Sequence, residues 1–236
     1  MSRGELLLYG ILPYATIAAF LLGHWWRYRT DRYGWGARST QILESRVLRW
    51  ASIVFHLGVL AAIGGHVLGL LVPRGWTAAV GIDDEAYHVI AVVGGLTAGG
   101  AVIVGFAGLM YRRLRFPRVR VTTTRMDVAV FALLAIGILT GLLATVLNLG
   151  DSVQYRDSVA PYFRGIITLN PDPELMTGAG VSLIFQLHVT AVWFLYALWP
   201  MSRLVHAWSL PVDYLRRSPI PYRGRTARPR RAEVVR

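Results

Sequence analysis

Five long runs of apolar residues dominate the chain, and polar residues collect in the segments between them. A helix needs about 20 residues to cross roughly 30 Å of hydrocarbon, and each run is close to that length. None of the runs alternates apolar and polar residues with a period of two, so we expect helices and not the strands of a barrel. The predicted spans are Glu5–Trp26, Leu48–Val72, Ala86–Tyr111, Met126–Asn148 and Val181–Met201.

The pattern therefore predicts an all-α, polytopic membrane protein with five transmembrane helices. The first run is too long for the core of a signal peptide and no A-x-A cleavage site follows it, so we interpret it as a retained helix. The loop from Asp151 to Gly180 contains three prolines and is expected to form a lid or a short surface helix. Residues 1–218 are predicted to form one membrane domain, and residues 219–236 a mobile tail rich in Arg and Pro.

The composition agrees with a membrane protein and excludes several kinds of metal site. Hydrophobic residues make up 54% and charged residues 16% of the 236 residues, whereas soluble domains carry roughly 25% charged residues. The chain contains no cysteine. This absence excludes disulfides, a Cys-ligated zinc or iron–sulfur centre, and a covalently attached c-type haem, which needs C-x-x-C-H.

The distribution of charge predicts the orientation of the helices. All 25 basic residues are Arg, compared with 13 acidic residues, and 21 of the arginines fall on one face of the predicted bundle. The positive-inside rule places this face in the cytoplasm, so we expect an outside N-terminus and a cytoplasmic C-terminus in the plasma membrane. The same rule accounts for the Arg-rich tail without nucleic acid as a partner.

Four of the six histidines fall on two of the predicted helices. His56 and His66 lie inside the second helix, His188 lies inside the fifth, and His206 lies at the end of the fifth. Ionisable residues inside a span are costly and usually functional. One such histidine is equally well explained by a hydrogen bond to a neighbouring helix, but four on two helices favour a shared function.

The depths of these histidines predict two pairs. The second and fifth helices run antiparallel, so His66 and His188 should meet on the outer side, and His56 and His206 on the inner side. His188 and His206 are 18 residues apart in the sequence, which is five turns of a continuous helix, so both should lie on one face. His56 and His66 are only 10 residues apart, and we expect tilt or a kink at Pro200 to absorb the difference.

Two stacked pairs of imidazoles in an apolar interior are typical of a cofactor that accepts two axial nitrogens. Bis-His haem b is the first candidate, because no carboxylate or thiolate partners accompany the histidines. Four glycines surround the histidines of the second helix: Gly58, Gly64, Gly65 and Gly69. Bare backbone there lets a macrocycle approach the helix, and close helix–helix packing through small residues is the alternative explanation.

Four stretches combine apolar and polar residues in an order that hydropathy alone does not predict. They are Leu12–Arg27 with the following YGWGARSTQ, FHLGVLAAIGGHVLGLLVP from Phe55 to Pro73, FPRVRVTTTRMD from Phe116 to Asp127, and SRLVHAWSLPVDYLRR from Ser202 to Arg217. In these stretches the chain resembles the gamma subunit of respiratory nitrate reductase, which is a membrane cytochrome b.

The resemblance implies a five-helix bundle with two haems b. Its ligand positions correspond to His66 and His188 for the outer haem and to His56 and His206 for the inner haem. It also implies oxidation of quinol near the outer haem, with protons released outside. Electrons then pass to a cytoplasmic iron–sulfur beta subunit and on to a molybdenum-containing alpha subunit that reduces nitrate. The expected partners are these two subunits, the quinol pool and membrane lipid.

The quinol site departs from the family pattern. Well-known members have a Lys in the outer loop after the second helix, whereas this chain has Ala86 at about that place and no Lys. His88 is a candidate replacement as hydrogen-bond or proton acceptor, and an interfacial residue is the alternative explanation. Gly65 and His66 are expected to contact the quinol. His24, beside Trp25 and Trp26, is interpreted as an anchor at the membrane interface.

Two arginines and two segments are candidates at the inner face. Arg112 and Arg113 are candidates to pair with the propionates of the inner haem, with positive-inside charge as the alternative. Phe116–Asp127 and Ser202–Leu215 are candidates for docking the iron–sulfur subunit. Two other functions stay open: the same cytochrome fold serving a sulfite or heterodisulfide reductase, and a haem-free transporter or scaffold whose histidines line a proton path.

Overall fold

The computed structural model describes residues 2–31, 34–36, 39–150, 155–178 and 181–208. Within them, the five predicted spans are helices long and apolar enough to cross a membrane. We label them α1 (Arg3–Thr30), α2 (Arg46–Leu71), α3 (Asp84–Arg115), α4 (Arg125–Leu147) and α5 (Leu183–Met201). No strand occurs in these ranges, so the all-α membrane fold expected from the sequence is confirmed.

Polar side chains determine where the spans begin. The first backbone N–H groups of a helix have no partner within the helix and need a cap. Asp83 accepts a hydrogen bond from the N–H of Ala86 at the start of α3. Thr124 and Asp127 cap α4 reciprocally, each side chain accepting from the other's backbone N–H.

Close packing links the helices in the order α2, α3, α4, α5, α1. Small residues allow the tightest of these contacts, between α2 and α3, since a Cβ added to Gly58 would lie 2.8 Å from the backbone nitrogen of Val102. Over the ranges that the structure describes, α2 and α5 are not packed backbone against backbone. These two helices carry the histidines, and they face each other across the opening of the bundle.

A short surface helix, Val159–Ile167, covers one end of the bundle. Its Tyr162 donates a hydrogen bond to the carbonyl of Tyr9, and its Arg164 donates to the carbonyl of Leu70. Burial of Tyr162 against this end raises the pKa of its phenol. The surface helix predicted within 151–180 is therefore present, although residues 151–154 and 179–180 lie outside the described ranges.

The fifth span does not continue as an α-helix to His206, and this corrects the expectation of five regular turns. Its α-helix ends at Leu198, a 3-10 turn covers Trp199–Met201, and Ser202 is extended. A second 3-10 helix, Arg203–Trp208, carries His206. The physical reason is Pro200, which has no N–H to donate and disfavours continuation of the helix. The predicted domain end at 218 and the tail 219–236 lie beyond the described residues.

Candidate functional site

The four histidines form two facing pairs between α2 and the fifth span. The ring centroids of His66 and His188 are 5.9 Å apart, and the rings are inclined by 19°. The ring centroids of His56 and His206 are also 5.9 Å apart, with an angle of 71°. The structure therefore brings together the pairs that helix depth predicted.

The break in the fifth span explains how unequal sequence spacings produce equal pairs. His56 and His66 both lie on the regular part of α2, which ends at His66 before a short π-helical stretch. His188 lies on the regular part of α5, whereas His206 lies beyond the extended residue Ser202. Because the chain changes direction at Ser202, His206 returns to the level of His56.

Each of the four imidazoles has its Nδ1 within hydrogen-bond distance of a backbone carbonyl. A carbonyl only accepts hydrogen bonds, so this contact assigns the proton to Nδ1 and the lone pair to Nε2. That tautomer is the one in which a histidine binds a metal through Nε2. The Nδ1–O distances are 2.7 Å for His56 to Ser52, 2.7 Å for His66 to Ala62, 2.9 Å for His188 to Gly137 and 2.6 Å for His206 to Arg203.

The donor set fits a cofactor better than a bare ion. A metal ion bound about 2 Å from one nitrogen of each ring requires ring centroids roughly 6 Å apart, as both pairs have. Yet in the described part of the chain no group of three or more His, Cys, Asp or Glu residues could hold a metal ion. Two axial imidazoles suit a group that brings its own equatorial ligands, as a haem does.

The glycines of α2 divide into two groups. A Cβ on Gly64 or Gly65 would meet no atom within 4 Å, so the backbone beside His66 faces open space. A Cβ on Gly69 would lie 3.3 Å from the hydroxyl of Tyr87, and Gly58 is packed against α3. Gly58 and Gly69 therefore serve helix packing, whereas Gly64 and Gly65 leave the region beside the histidines accessible.

The sequence reasoning did not identify the part that α4 plays at His188. Besides the carbonyl of Gly137, the hydroxyl of Thr140 lies 3.4 Å from Nδ1 of His188. A Cβ on Gly141 would lie 2.8 Å from Cε1 of the same ring. The only sequence signal for this seat is the Gly-x-x-Thr-Gly spacing on α4, which also occurs in ordinary packing.

Arg112 lies in a buried ion pair with the first interhelical loop. It is only 3% exposed, and its Nε donates to the Glu44 carboxylate at 2.6 Å. The rest of the guanidinium donates to the Thr40 hydroxyl and to the carbonyls of Thr40 and Glu44. Burial opposes ionisation of Glu44, but hydrogen bonds from Val47 and Arg112 outweigh it and lower the pKa of this carboxyl. Arg112 thus anchors the loop, and we do not assign it to a propionate.

Arg113 is also engaged with the protein. It donates to the hydroxyl of Thr123 at 2.9 Å and lies 5.0 Å from the centroid of the Phe131 ring. The two candidate docking segments meet nearby, where Arg203 pairs with Asp127 at 2.7 Å. The part of the second segment beyond Trp208 lies outside the described residues.

The other two histidines lie apart from the pairs. His88 is near the start of α3, with its Nε2 3.3 Å from the carbonyl of Leu149. His24 does not share the exposure of Trp25 and Trp26. Its ring contacts Phe20, with centroids 4.3 Å apart, and its Nδ1 lies 2.7 Å from the Phe20 carbonyl.

Fold and site together define a five-helix polytopic membrane protein that presents two facing pairs of histidines between two of its spans. Residues 5–225 match the family described as the nitrate reductase gamma subunit. The chain belongs to this family, as its sequence motifs indicated.

Individual relatives agree with this assignment. The nitrate reductase gamma chain of Bacillus subtilis (strain 168) is 42% identical over 221 residues, which cover 93% of this chain and 98% of the relative. The respiratory nitrate reductase 1 gamma chain of Escherichia coli (strain K12) is 35% identical over 214 residues, covering 89% and 92%.

A longer relative also matches. The nitrate reductase-like protein NarX of Mycobacterium tuberculosis (strain ATCC 25618 / H37Rv) is 44% identical over 235 residues, which cover 97% of this chain. The chain spans only 36% of the length of that relative.

Proposed function

We propose that the chain is the membrane cytochrome b subunit of a respiratory quinol:nitrate oxidoreductase. In this proposal it holds two b haems, the outer one on His66 and His188 and the inner one on His56 and His206. It takes electrons from quinol and delivers them to an iron–sulfur subunit, while a molybdenum-containing subunit reduces nitrate. The observation that carries the proposal is the pair of 5.9 Å histidine contacts in a chain of this family.

The residues of this chain provide orientation and an apolar environment. A bound haem b supplies reversible one-electron transfer at its iron. The four backbone carbonyls that accept from Nδ1 hold the imidazole rings and make their Nε2 atoms more basic ligands. The open side of α2 at Gly64 and Gly65 leaves room beside His66. The apolar helices keep water away from both pairs.

The acidic end of the bundle is the proposed place of quinol oxidation. Gly65 and His66 would contact the quinol, and His88 would accept a proton in place of the lysine that this chain lacks. His88 supports this role because it lies near the start of α3, at the end of the bundle to which α2 runs from His66. Positive-inside charge supports release of protons outside and docking of the iron–sulfur subunit at the arginine-rich end.

The first test is the absorbance of the purified protein. We expect a b-type signal in the reduced-minus-oxidised spectrum and two haems per chain, and the complex with its partner subunits should couple quinol oxidation to nitrate reduction. A purified, folded chain without any b-type signal contradicts the proposal and favours a haem-free scaffold or transporter.

The second part of this test concerns the pairing. Replacing His66 or His188 by Ala should remove one haem, and replacing His56 or His206 should remove the other, because each pair shares one iron. His24→Ala is the matched control, and both haems should remain. If His66→Ala and His206→Ala depleted one and the same haem, the proposed pairing would be wrong.

A further inference from the structure

His206 is held in a different way from the other three paired histidines. The carbonyls that orient His56, His66 and His188 all belong to regular helices, α2 and α4. His206 instead lies in the 3-10 helix after Ser202, and its Nδ1 donates to the carbonyl of Arg203, three residues earlier. A short 3-10 segment has poorer hydrogen-bond geometry than an α-helix. The position of this carbonyl therefore depends on what holds Arg203.

The side chain of Arg203 is held by α4. Its Nε donates to one carboxylate oxygen of Asp127 at 2.7 Å, and a terminal nitrogen donates to the other oxygen at 2.9 Å. The same terminal nitrogen also donates to the carbonyl of Thr122 at 2.6 Å. A planar guanidinium that engages both oxygens of a carboxylate is restrained in direction as well as distance.

Asp127 is itself fixed at the beginning of α4. It is 4% exposed, and one of its oxygens accepts from the backbone N–H of Thr124 at 2.9 Å. The Thr124 hydroxyl accepts from the N–H of Asp127 at 3.1 Å in return. A continuous series of hydrogen bonds thus runs from the start of α4 through Asp127 and Arg203 to the imidazole of His206.

We propose that the Asp127–Arg203 ion pair is a positioning device for His206 and so for the inner haem. This inference rests on the proposed function, because it requires a haem between His56 and His206. When the side chain of Arg203 is released, its carbonyl moves and the imidazole loses its orientation. Partners of this kind, one step removed from the metal, typically change metal affinity by about 10- to 100-fold when they are replaced.

The structure makes the effect selective. His188, the proposed outer ligand, is oriented by the carbonyl of Gly137 within α4. That carbonyl is ten residues beyond Asp127 along the helix, and no ion pair takes part in its contact with His188. Loss of the Asp127–Arg203 pair should therefore disturb the inner haem and leave the outer haem unchanged.

The experiment uses Arg203→Gln, Asp127→Asn and the conservative Arg203→Lys in the full chain. We expect inner haem to be lost to excess apomyoglobin about 10- to 100-fold faster in the first two variants. The midpoint potential and low-spin electron paramagnetic resonance signal of the remaining inner haem should also shift. Arg203→Lys retains the charge without the two-point contact and should fall between these variants and the unmodified protein. His56→Ala and His188→Ala identify the two haem signals.

The outer haem and a neighbouring arginine are the controls. The amount of outer haem in the same sample reports correct folding, and Arg113→Gln removes a guanidinium that donates to Thr123 instead of Asp127. An inner haem unchanged in both Arg203→Gln and Asp127→Asn would overturn the inference. So would equal loss of both haems, because the ion pair would then support the whole bundle. An unmodified protein without haem would refute the proposed function itself, and this inference with it.

Discussion

At the scale of single residues, the orientation of each paired histidine depends on one backbone carbonyl and on the space around the ring. His188 shows this most clearly, because the carbonyl of Gly137 lies on a neighbouring helix and Gly141 lies against the ring. A side chain at position 141 would occupy the space of Cε1. The ring cannot easily yield, since its Nδ1 is held by the carbonyl.

The change Gly141→Ala should therefore displace His188. We expect this overpacking to cost about 1–3 kcal/mol and to deplete the outer haem while the inner haem remains. The measurements are haem stoichiometry and the thermal unfolding midpoint in detergent.

The matched control for this change is Gly137→Ala, one turn away on α4. Its Cβ would lie 3.9 Å from the nearest side-chain atom, on Val192, and the carbonyl at 137 would be retained. The two variants gain the same helix propensity, so any difference between them reports the contact with His188. Equal behaviour of the two variants would mean that the ring is free to move.

At the scale of elements, the end of the fifth span is held by the first. The carbonyls that follow a helix break need new partners. Arg27 of α1 donates to the carbonyl of Pro200 at 2.6 Å and to that of Ser202 at 2.9 Å. A Cβ on Gly23 would lie 2.8 Å from the ring of Pro200, so the two chains are also in close contact.

Arg27→Gln should loosen this junction. Hydrogen bonds from charged groups contribute roughly 1.5–3 kcal/mol, so we expect a loss of about 2 kcal/mol and a lower thermal unfolding midpoint in detergent. Arg29→Gln is the comparison, since Arg29 is exposed and contacts the Trp25 ring from 5.6 Å. A similar fall in both variants would show that general surface charge matters and the two carbonyls do not.

At the scale of the whole molecule, the two ends of the bundle differ in charge. One end carries most of the arginines of the chain, and the other carries an exposed network in which Arg74 contacts Asp84 at 2.8 Å and Asp157 at 3.4 Å. In a membrane this difference determines which end stays in the cytoplasm. The orientation matters because the proposed direction of electron transfer depends on it.

Single cysteines can test the orientation, because the natural chain has none. Val80→Cys lies at the acidic end and Val121→Cys at the arginine-rich end, at positions 73% and 81% exposed. A membrane-impermeant maleimide should label Val80→Cys in intact spheroplasts, and Val121→Cys only after permeabilisation. The reverse pattern would show that the N-terminus is cytoplasmic.

The sequence by itself determined the spans, the asymmetry of charge and the pairing of the histidines. These features follow from the membrane, because a lipid environment sets the length of a helix and requires its backbone to be satisfied internally. Antiparallel order then places residues of matching depth side by side. That is why His66 could be matched with His188 without any knowledge of packing.

Only the tertiary structure decided how those histidines are held. The partners involved are far apart in sequence: Gly137 and His188 by 51 residues, Glu44 and Arg112 by 68, and Asp127 and Arg203 by 76. Periodicity reports which face of a helix is apolar, but not which neighbour meets it. An arginine read as surface charge can thus be buried in an ion pair, as Arg112 is, because the compensating carboxylate is brought to it only by the folding of the whole chain.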